Sequence, residues 1–422
     1  MVINMKKQRI VFVNLHTNIM FVKTFAQQLF KKSISLKHRY LLDFLIEDPT
    51  IEVCSYINQN GFSLGFKFLS DKLFLRFFLS RFRFVEHKYT MHKNRINFKK
   101  ITILKRLEEI QNDDIILLYI LYPQQFAEIG NIHAFKAISF VHFPFLLEET
   151  KNLINQVAPN ILSGESNLVQ FNKYFNDCIN WKGDFVVSPF VYENRFKPVR
   201  PFKERENKAV SMGTIAYHRD EIFKALYGDT VLQPIRKKIK VHSNDLKNYI
   251  ACYNMDYHES LKDEEVLPDG NLLKQIYQRW RRNTHRGQQK QYFSFDMVDK
   301  FNEFKMCIVG EEITGVPGIG FVEGMACGCA YIGLNNGLYE QYGLKEGIHY
   351  IGYDGTLSDL IEKIKYWQRP ENQNKLEEIA QCGCAYVREH FNKEAVASSF
   401  LSRLLEAHKA WKKEHMPESI KS

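Results

Sequence analysis

Nineteen residues, Gly315 to Gly333, constrain this chain more than any other stretch: Gly-Val-Pro-Gly-Ile-Gly, then Phe-Val-Glu-Gly-Met-Ala, then Cys-Gly-Cys-Ala-Tyr-Ile-Gly. A glycine-rich turn, a short helix with one carboxylate and an apolar strand, in that order, is how an α/β sheet presents backbone N–H groups to an anion. Unpaired N–H groups and about half a positive charge gather at a helix start. Gly318, Ile319, Gly320 and Phe321 are therefore read as phosphate donors, and Glu323 as the acceptor of ribose hydroxyl hydrogen bonds. A glycine cluster also makes an ordinary tight turn between strands, so the rest of the chain has to decide between the two.

The rest of the chain repeats the strand-helix rhythm. Ile10 to Asn14, Ile51 to Ile57, Ile115 to Tyr119, Ala137 to His142, Asn160 to Ser163 and Phe185 to Val187 read as short buried strands. Helices are expected over Met20 to Lys31, over Ile103 to Gln111 and from about Pro123. Ser188 to Pro201 interrupts the pattern with three prolines. Strands resume at Ala209 to Thr214, Met306 to Val309, Cys329 to Gly333 and His349 to Gly352, with helices over 357–367, 373–390 and 395–411. Such short apolar runs between helices indicate parallel sheets covered on both faces. With 422 residues the chain is long enough for two cores. The expected domains are 1–190, a linker over 191–205, a second domain over 206–392, and a C-terminal helix and tail over 393–422.

The formal net charge of +10 is concentrated. Between Lys67 and Lys100 stand ten Lys or Arg against Asp71 and Glu86, with phenylalanines and leucines interleaved. Cations beside insertable aromatics suit the surface of an anionic membrane. The same segment also reads as a helix buried against its own domain with snorkelling cations, and a nucleic-acid surface is disfavoured because no known module surrounds it. A second basic run, Arg279 to Arg286, reads either as a solvated loop or as a closure over a diphosphate. No apolar run approaches the ~18 residues that cross a bilayer. The polar start before Ile10 has no signal-peptide pattern. Eight cysteines in so long a chain do not make a disulfide framework. Cys327/Cys329 and Cys382/Cys384 lack the usual zinc spacing and read as core thiols. A cytoplasmic protein, peripheral at the inner face of the membrane, is the expectation.

The order of landmarks resembles a GT-B glycosyltransferase, and within that fold the family-four group (glycosyl transferases group 1) that uses nucleotide-sugar donors. Ser139-Phe140-Val141-His142-Phe143-Pro144 is similar to the family's N-lobe strand ending in histidine. Val191-Tyr192-Glu193-Asn194-Arg195-Phe196-Lys197-Pro198 resembles its interdomain consensus. Gly213 matches the glycine turn that opens the C-lobe, Thr214 stands where arginine is usual, and Arg219 where lysine is usual. Glu323 matches the second glutamate of the Glu-x7-Glu donor loop, whereas Gly315 stands at the first. Glu311 and Glu312 lie just upstream.

The resemblance implies an α/β fold of two Rossmann-like lobes with an interlobe cleft and a C-terminal helix returning toward the N-lobe. It implies a glycosyltransferase that needs no metal or other cofactor, retains configuration, and moves a sugar from a nucleotide-sugar donor to a glycan or glycolipid in surface polysaccharide or lipopolysaccharide synthesis. His142 would contact the transferred sugar as the catalytic residue. Gly213, Thr214, Arg219, Gly318 to Phe321, Glu323 and Asn335 would bind the donor, and His16, Thr17 and Asn18 would border the acceptor. A nucleotide-sugar epimerase and a non-catalytic nucleotide- or glycan-binding protein of the same fold are the alternatives.

Overall fold

The computed structural model describes residues 6–15, 21–23, 38–57, 84–120, 127–140, 147–218, 221–256 and 295–416. Two parallel sheets organise them. The first has seven strands in the order β3-β2-β1-β4-β5-β6-β7: β1 Gln8–Val13, β2 Ile51–Tyr56, β3 Ile101–Leu104, β4 Ile115–Ile120, β5 Phe135–Phe140, β6 Ile161–Gly164 and β7 Asp184–Val187. The second has five, in the order β12-β11-β10-β8-β9: β8 Glu206–Ile215, β9 Ile250–Asp256, β10 Phe304–Ile308, β11 Ala330–Leu334 and β12 Ile351–Tyr353. Most strands are buried at consecutive positions and not on alternate ones. β5, for example, is buried at all six positions, as a strand covered on both faces must be.

Each sheet reverses strand order once, between β1 and β4 and between β8 and β10. Doubly wound sheets bind ligands beyond the carboxyl ends of their strands at such a switch point. The described residues of 1–165, 178–188 and 397–422 form one compact unit, and those of 166–177 and 189–396 the other. The last helix, Lys393–His415, starts in the second unit and joins the first from Ala397. There Trp411 packs edge-on to Phe135 and Lys412 pairs with Asp113.

One expected element needs correction, and one strand was not expected. Ile103 to Gln111 is not a helix: Ile101–Leu104 is strand β3, parallel to β2, and only Leu107–Glu109 makes a 3-10 turn. The β-branched Ile-Thr-Ile run pairs along an open strand edge, and that tertiary contact overrides weak helical spacing. β9 follows β8 in the sheet from Ala209↔Ile250 to Ile215↔Asp256, yet its mixed run Ile-Ala-Cys-Tyr-Asn-Met-Asp carries little strand signal. The expected helix over Met20 to Lys31 lies almost wholly outside the described residues.

Residues 191–205 lie against the second unit. Phe196 is fully buried. Asn302 accepts from Val199 N at 2.8 Å and donates to Lys197 O at 3.0 Å. Buried Arg205 donates to Cys327 O at 2.9 Å, satisfying a carbonyl at the end of the helix Gly320–Ala326. The Cys329 thiol donates to Phe301 O at 2.8 Å, and Cys307, Cys327 and Cys384 are buried as core thiols are, whereas Cys382, expected in the core, is exposed because it lies on the outer face of the helix Gln373–His390.

Of the basic segment, 66–83 lies outside the described residues. The remainder is helical over 84–93. His87, Thr90, Met91 and Asn94 are buried, while Val85 and Tyr89 are exposed. Lys88 and Lys105 lie 4.5 and 4.7 Å from the Phe84 ring centre. Burial holds the His87 imidazole down to about 4, and burial, then Lys412, does the same to His408. The unfolded chain takes up these protons below pH 6.5 and the folded one only near pH 4. The stability tied to the neutral rings is therefore complete above pH 6.5 and lost as the pH falls from 6.5 toward 4. Urea unfolding at pH 7 and pH 5 should differ by about 2 kcal/mol for His87, and His87→Gln should flatten that difference. Equal pH dependence in the two proteins would contradict this account.

Candidate functional site

The carboxyl ends of β8 and β10 are adjacent, with Ser211 in register with Ile308. Gly213 and Thr214 stand near the end of β8, and the chain leaves β10 through Val309 and Gly310. Into the gap comes Arg236, from the first turn of the helix Pro234–Val241. Pro234 presets that turn, and the Gln233 side chain before it accepts from Ala216 N at 2.8 Å.

Arg236 is only 8% exposed. Its Nη1 donates to Thr214 O at 2.8 Å and its Nε to Val309 O. Three glycines make room for it. A Cβ on Gly213 would stand 2.7 Å from the guanidinium carbon, one on Gly310 2.8 Å from Cγ, and one on Gly318 2.7 Å from Nη2. Real Cβ atoms do not approach so closely, so glycine is required on all three walls of the cradle. The guanidinium is thus held by carbonyl oxygens at the sheet's switch point, where doubly wound sheets place their ligands.

The loop from β10 to the next helix has a defined path. Glu311 turns inward and is 4% exposed. It accepts from Tyr339 Oη at 2.7 Å, Leu334 N at 3.0 Å, Tyr353 Oη at 3.1 Å and Tyr331 Oη at 3.4 Å. Burial first, and then the Glu311 charge, pushes the three phenols well above their ordinary range. Glu312 turns the other way and accepts from Gln233 Nε2 at 3.0 Å and Thr314 Oγ1 at 3.3 Å. The loop closes with Glu312 N donating to Val316 O at 2.9 Å.

Gly315, at the turn, has φ +74°, and its carbonyl accepts from Ser166 Oγ at 2.8 Å. A Cβ there would lie 2.7 Å from Phe171 Cβ. The position therefore excludes a glutamate for two reasons, backbone conformation and space.

Of the donor residues proposed from sequence, Gly213, Thr214 and Gly318 meet around Arg236. Ile319 and Gly320 continue from Gly318 into the helix Gly320–Ala326. Phe321 N donates to Gly318 O at 3.0 Å, which commits that donor to the turn, and its ring is core, with centroids 5.3 Å from Tyr339 and 5.8 Å from Tyr331. Glu323 is in the same helix and 9% exposed. Asn335 is exposed directly after β11 and donates its backbone N–H to Tyr353 O at 3.0 Å. Arg219, His142, His16, Thr17 and Asn18 lie outside the described residues, as does the basic run 279–286.

Sequence reading missed Arg236. In Pro-Ile-Arg-Lys-Lys-Ile-Lys it is one of four cations, and only burial separates it from its neighbours. Lys237 and Lys240 pair with Asp256 at 3.3 and 2.7 Å. Also missed is a buried pair in the first unit, His38 Nε2 to Glu165 Oε1 at 3.1 Å. Glu165 directly follows β6, and Tyr40, hydrogen-bonded to Ser188 beyond β7, is close by. Burial raises the Tyr40 phenol well above its ordinary range.

The geometry at 315 makes a prediction. Gly315→Glu, which restores the charge that the sequence pattern lacks, should destabilise the protein by about 2 kcal/mol or more through strain and overlap with Phe171. Thermal unfolding checks it; an unchanged midpoint would show that the turn can rearrange.

No family model matches the chain, and no curated protein matches it. Among solved structures, the N-terminal domain of trehalose-6-phosphate phosphatase from Candida albicans is similar over 96% of this chain and 98% of its own, at 10% identity and a TM-score of 0.50. A glycosyltransferase from Rickettsia africae matches over 95% and 98%, at 12% identity and 0.48. HepE of Anabaena, in complex with UDP and glucose, matches over 94% and 100%, at 11% identity and 0.44. What such likeness establishes is the fold: two Rossmann-like α/β units, as in GT-B proteins.

Proposed function

We propose that the protein is a glycosyltransferase that binds the diphosphate of a nucleotide-sugar donor at the switch point of its second sheet. One observation carries the reading: the buried Arg236 guanidinium, cradled by Gly213, Gly310 and Gly318 where the glycine loop enters a helix. Glycosyl transfer breaks the bond from the anomeric carbon to the diphosphate, and the electron pair leaves on the phosphate oxygen. The acceptor hydroxyl oxygen forms the new bond and gives up its proton. Charge therefore builds on the leaving group, and preorganised donors aimed at it are usually the largest catalytic contribution.

Arg236 supplies a charge that cannot be deprotonated, and the backbone N–H groups at Gly318 to Gly320 add oriented dipoles. Together they serve the role that a divalent cation has in other transferases, so the reaction is proposed as metal-independent. Glu323 is assigned to the ribose and Asn335 to the base side, and His142, just beyond β5, to the transferred sugar. Arg219 is assigned to the diphosphate, and His16, Thr17 and Asn18, beyond β1, to the acceptor.

Retention of configuration and an acceptor in surface glycan or glycolipid synthesis follow from the family resemblance. Docking on the cytoplasmic face of an anionic membrane rests on segment 66–100, in which Val85 and Tyr89 are exposed and Lys93 lies over the Tyr89 ring. No helix among the described residues is long and apolar enough to cross a membrane.

Incubation with a panel of nucleotide sugars and glycan or lipid-linked acceptors should give acceptor-dependent sugar transfer. Conversion of the donor to its epimer, or binding without turnover under every acceptor, would refute the assignment. Glu323→Gln should weaken donor binding by about 10- to 100-fold through loss of a charge-assisted hydrogen bond. Isothermal calorimetry measures it, and an unchanged affinity would remove Glu323 from the site.

A further inference from the structure

Glu311 and Glu312 are adjacent at the exit of β10, yet the fold treats them in opposite ways. Glu312 contacts Gln233 and Thr314 near the start of the Arg236 helix. Glu311 enters a closed aromatic cluster and accepts four hydrogen bonds within 3.4 Å. Those donors come from β11, β12 and the segment between them. A core that needed only to be filled would take an apolar side chain there at less cost in desolvation. A carboxylate with several donors from separate elements adds direction, because each bond fixes an orientation as well as a distance.

The two ends of this network run into residues assigned above to donor binding. Two residues before Glu311, Val309 O accepts from Arg236, and Gly310 packs against the Arg236 stem. Leu334, whose N–H is bound by Glu311, is followed at once by Asn335. Asn335 N in turn donates to the carbonyl of Tyr353, whose phenol is also on Glu311. We propose that Glu311 is a positioning residue for nucleotide binding: it ties the β10 exit loop to the carboxyl ends of β11 and β12, and so sets the spacing between the Arg236 cradle and the Asn335 edge. It touches no ligand itself. The inference rests on the nucleotide-sugar reading above.

The test uses the full chain, with UDP, GDP, ADP and dTDP as probes. Tyr353→Phe keeps the ring and deletes one donor to Glu311; Glu311→Gln keeps the shape and removes the charge. Tyr353→Phe should weaken binding of the preferred nucleotide by about 3- to 10-fold, and Glu311→Gln by about 10-fold or more. Circular dichroism should show both variants folded at the temperature of the assay. Amide hydrogen exchange should quicken over 310–318 and at Leu334 and Asn335 in both. A variant that is less stable but binds nucleotide with unchanged affinity would make Glu311 an ordinary core group and overturn the proposal. If the unaltered protein binds none of the four nucleotides, the nucleotide reading itself falls, and the proposal with it. Unchanged exchange at Leu334 in folded Glu311→Gln would overturn the positioning role whatever the nucleotide result. Since Tyr353→Phe is the milder change, it decides the matter if Glu311→Gln does not fold.

Discussion

The candidate site in the second unit is arranged around a buried guanidinium. A guanidinium that is 8% exposed has to exchange its hydration for fixed acceptors, and Arg236 takes carbonyls from the exits of two neighbouring strands, Thr214 beyond β8's glycine and Val309 beyond β10. That choice determines much around it. The strand exits must diverge to admit the side chain, the residues facing it must lack a Cβ, and the helix that carries it must begin near Gln233. Gly213 is about a hundred residues from Gly310 and Gly318, yet all three face the same side chain.

The glycine loop has a similar logic. Its polar side chains alternate in direction, Glu311 into the tyrosine cluster and Glu312 toward Gln233, and its tip is held by Ser166 on the carbonyl of Gly315. Phe171 leaves no volume for a side chain at that tip. Glycine at 315 thus fits a packing contact with residues 166–177, which lie with the second unit. Positive charge at the switch point comes from Arg236, on the helix Pro234–Val241.

The apolar strands were the legible part of the fold. β1, β2 and β4 to β7 stand out because a strand covered on both faces is apolar at consecutive positions, and helices such as Gln373–His390 show regular spacing. β3 and β9 were harder for opposite reasons. In β3, Ile103 to Gln111 carried apolar residues at helical intervals, and pairing with β2 decided the matter. β9 has Asn254 at 6% exposure, donating to Ser211 Oγ at 2.8 Å across the sheet, a buried polar contact that no local pattern announces. Within the candidate site, Gly213, Gly318 and Glu323 were visible as members of an ordered motif. Arg236 was not, because Lys237, Lys238 and Lys240 surround it with equivalent charge.

By itself the sequence determined the α/β class and a glycine-rich turn leading into a helix with a carboxylate. These are local properties: apolar runs, prolines and glycines act on the few residues beside them. Tertiary structure decided which glycines share a neighbour, which of two adjacent glutamates is buried, and which of four cations faces the strand ends. Those outcomes depend on contacts between segments separated by tens to hundreds of residues, where burial and the demand for hydrogen-bond partners, and not residue type, assign each side chain its place.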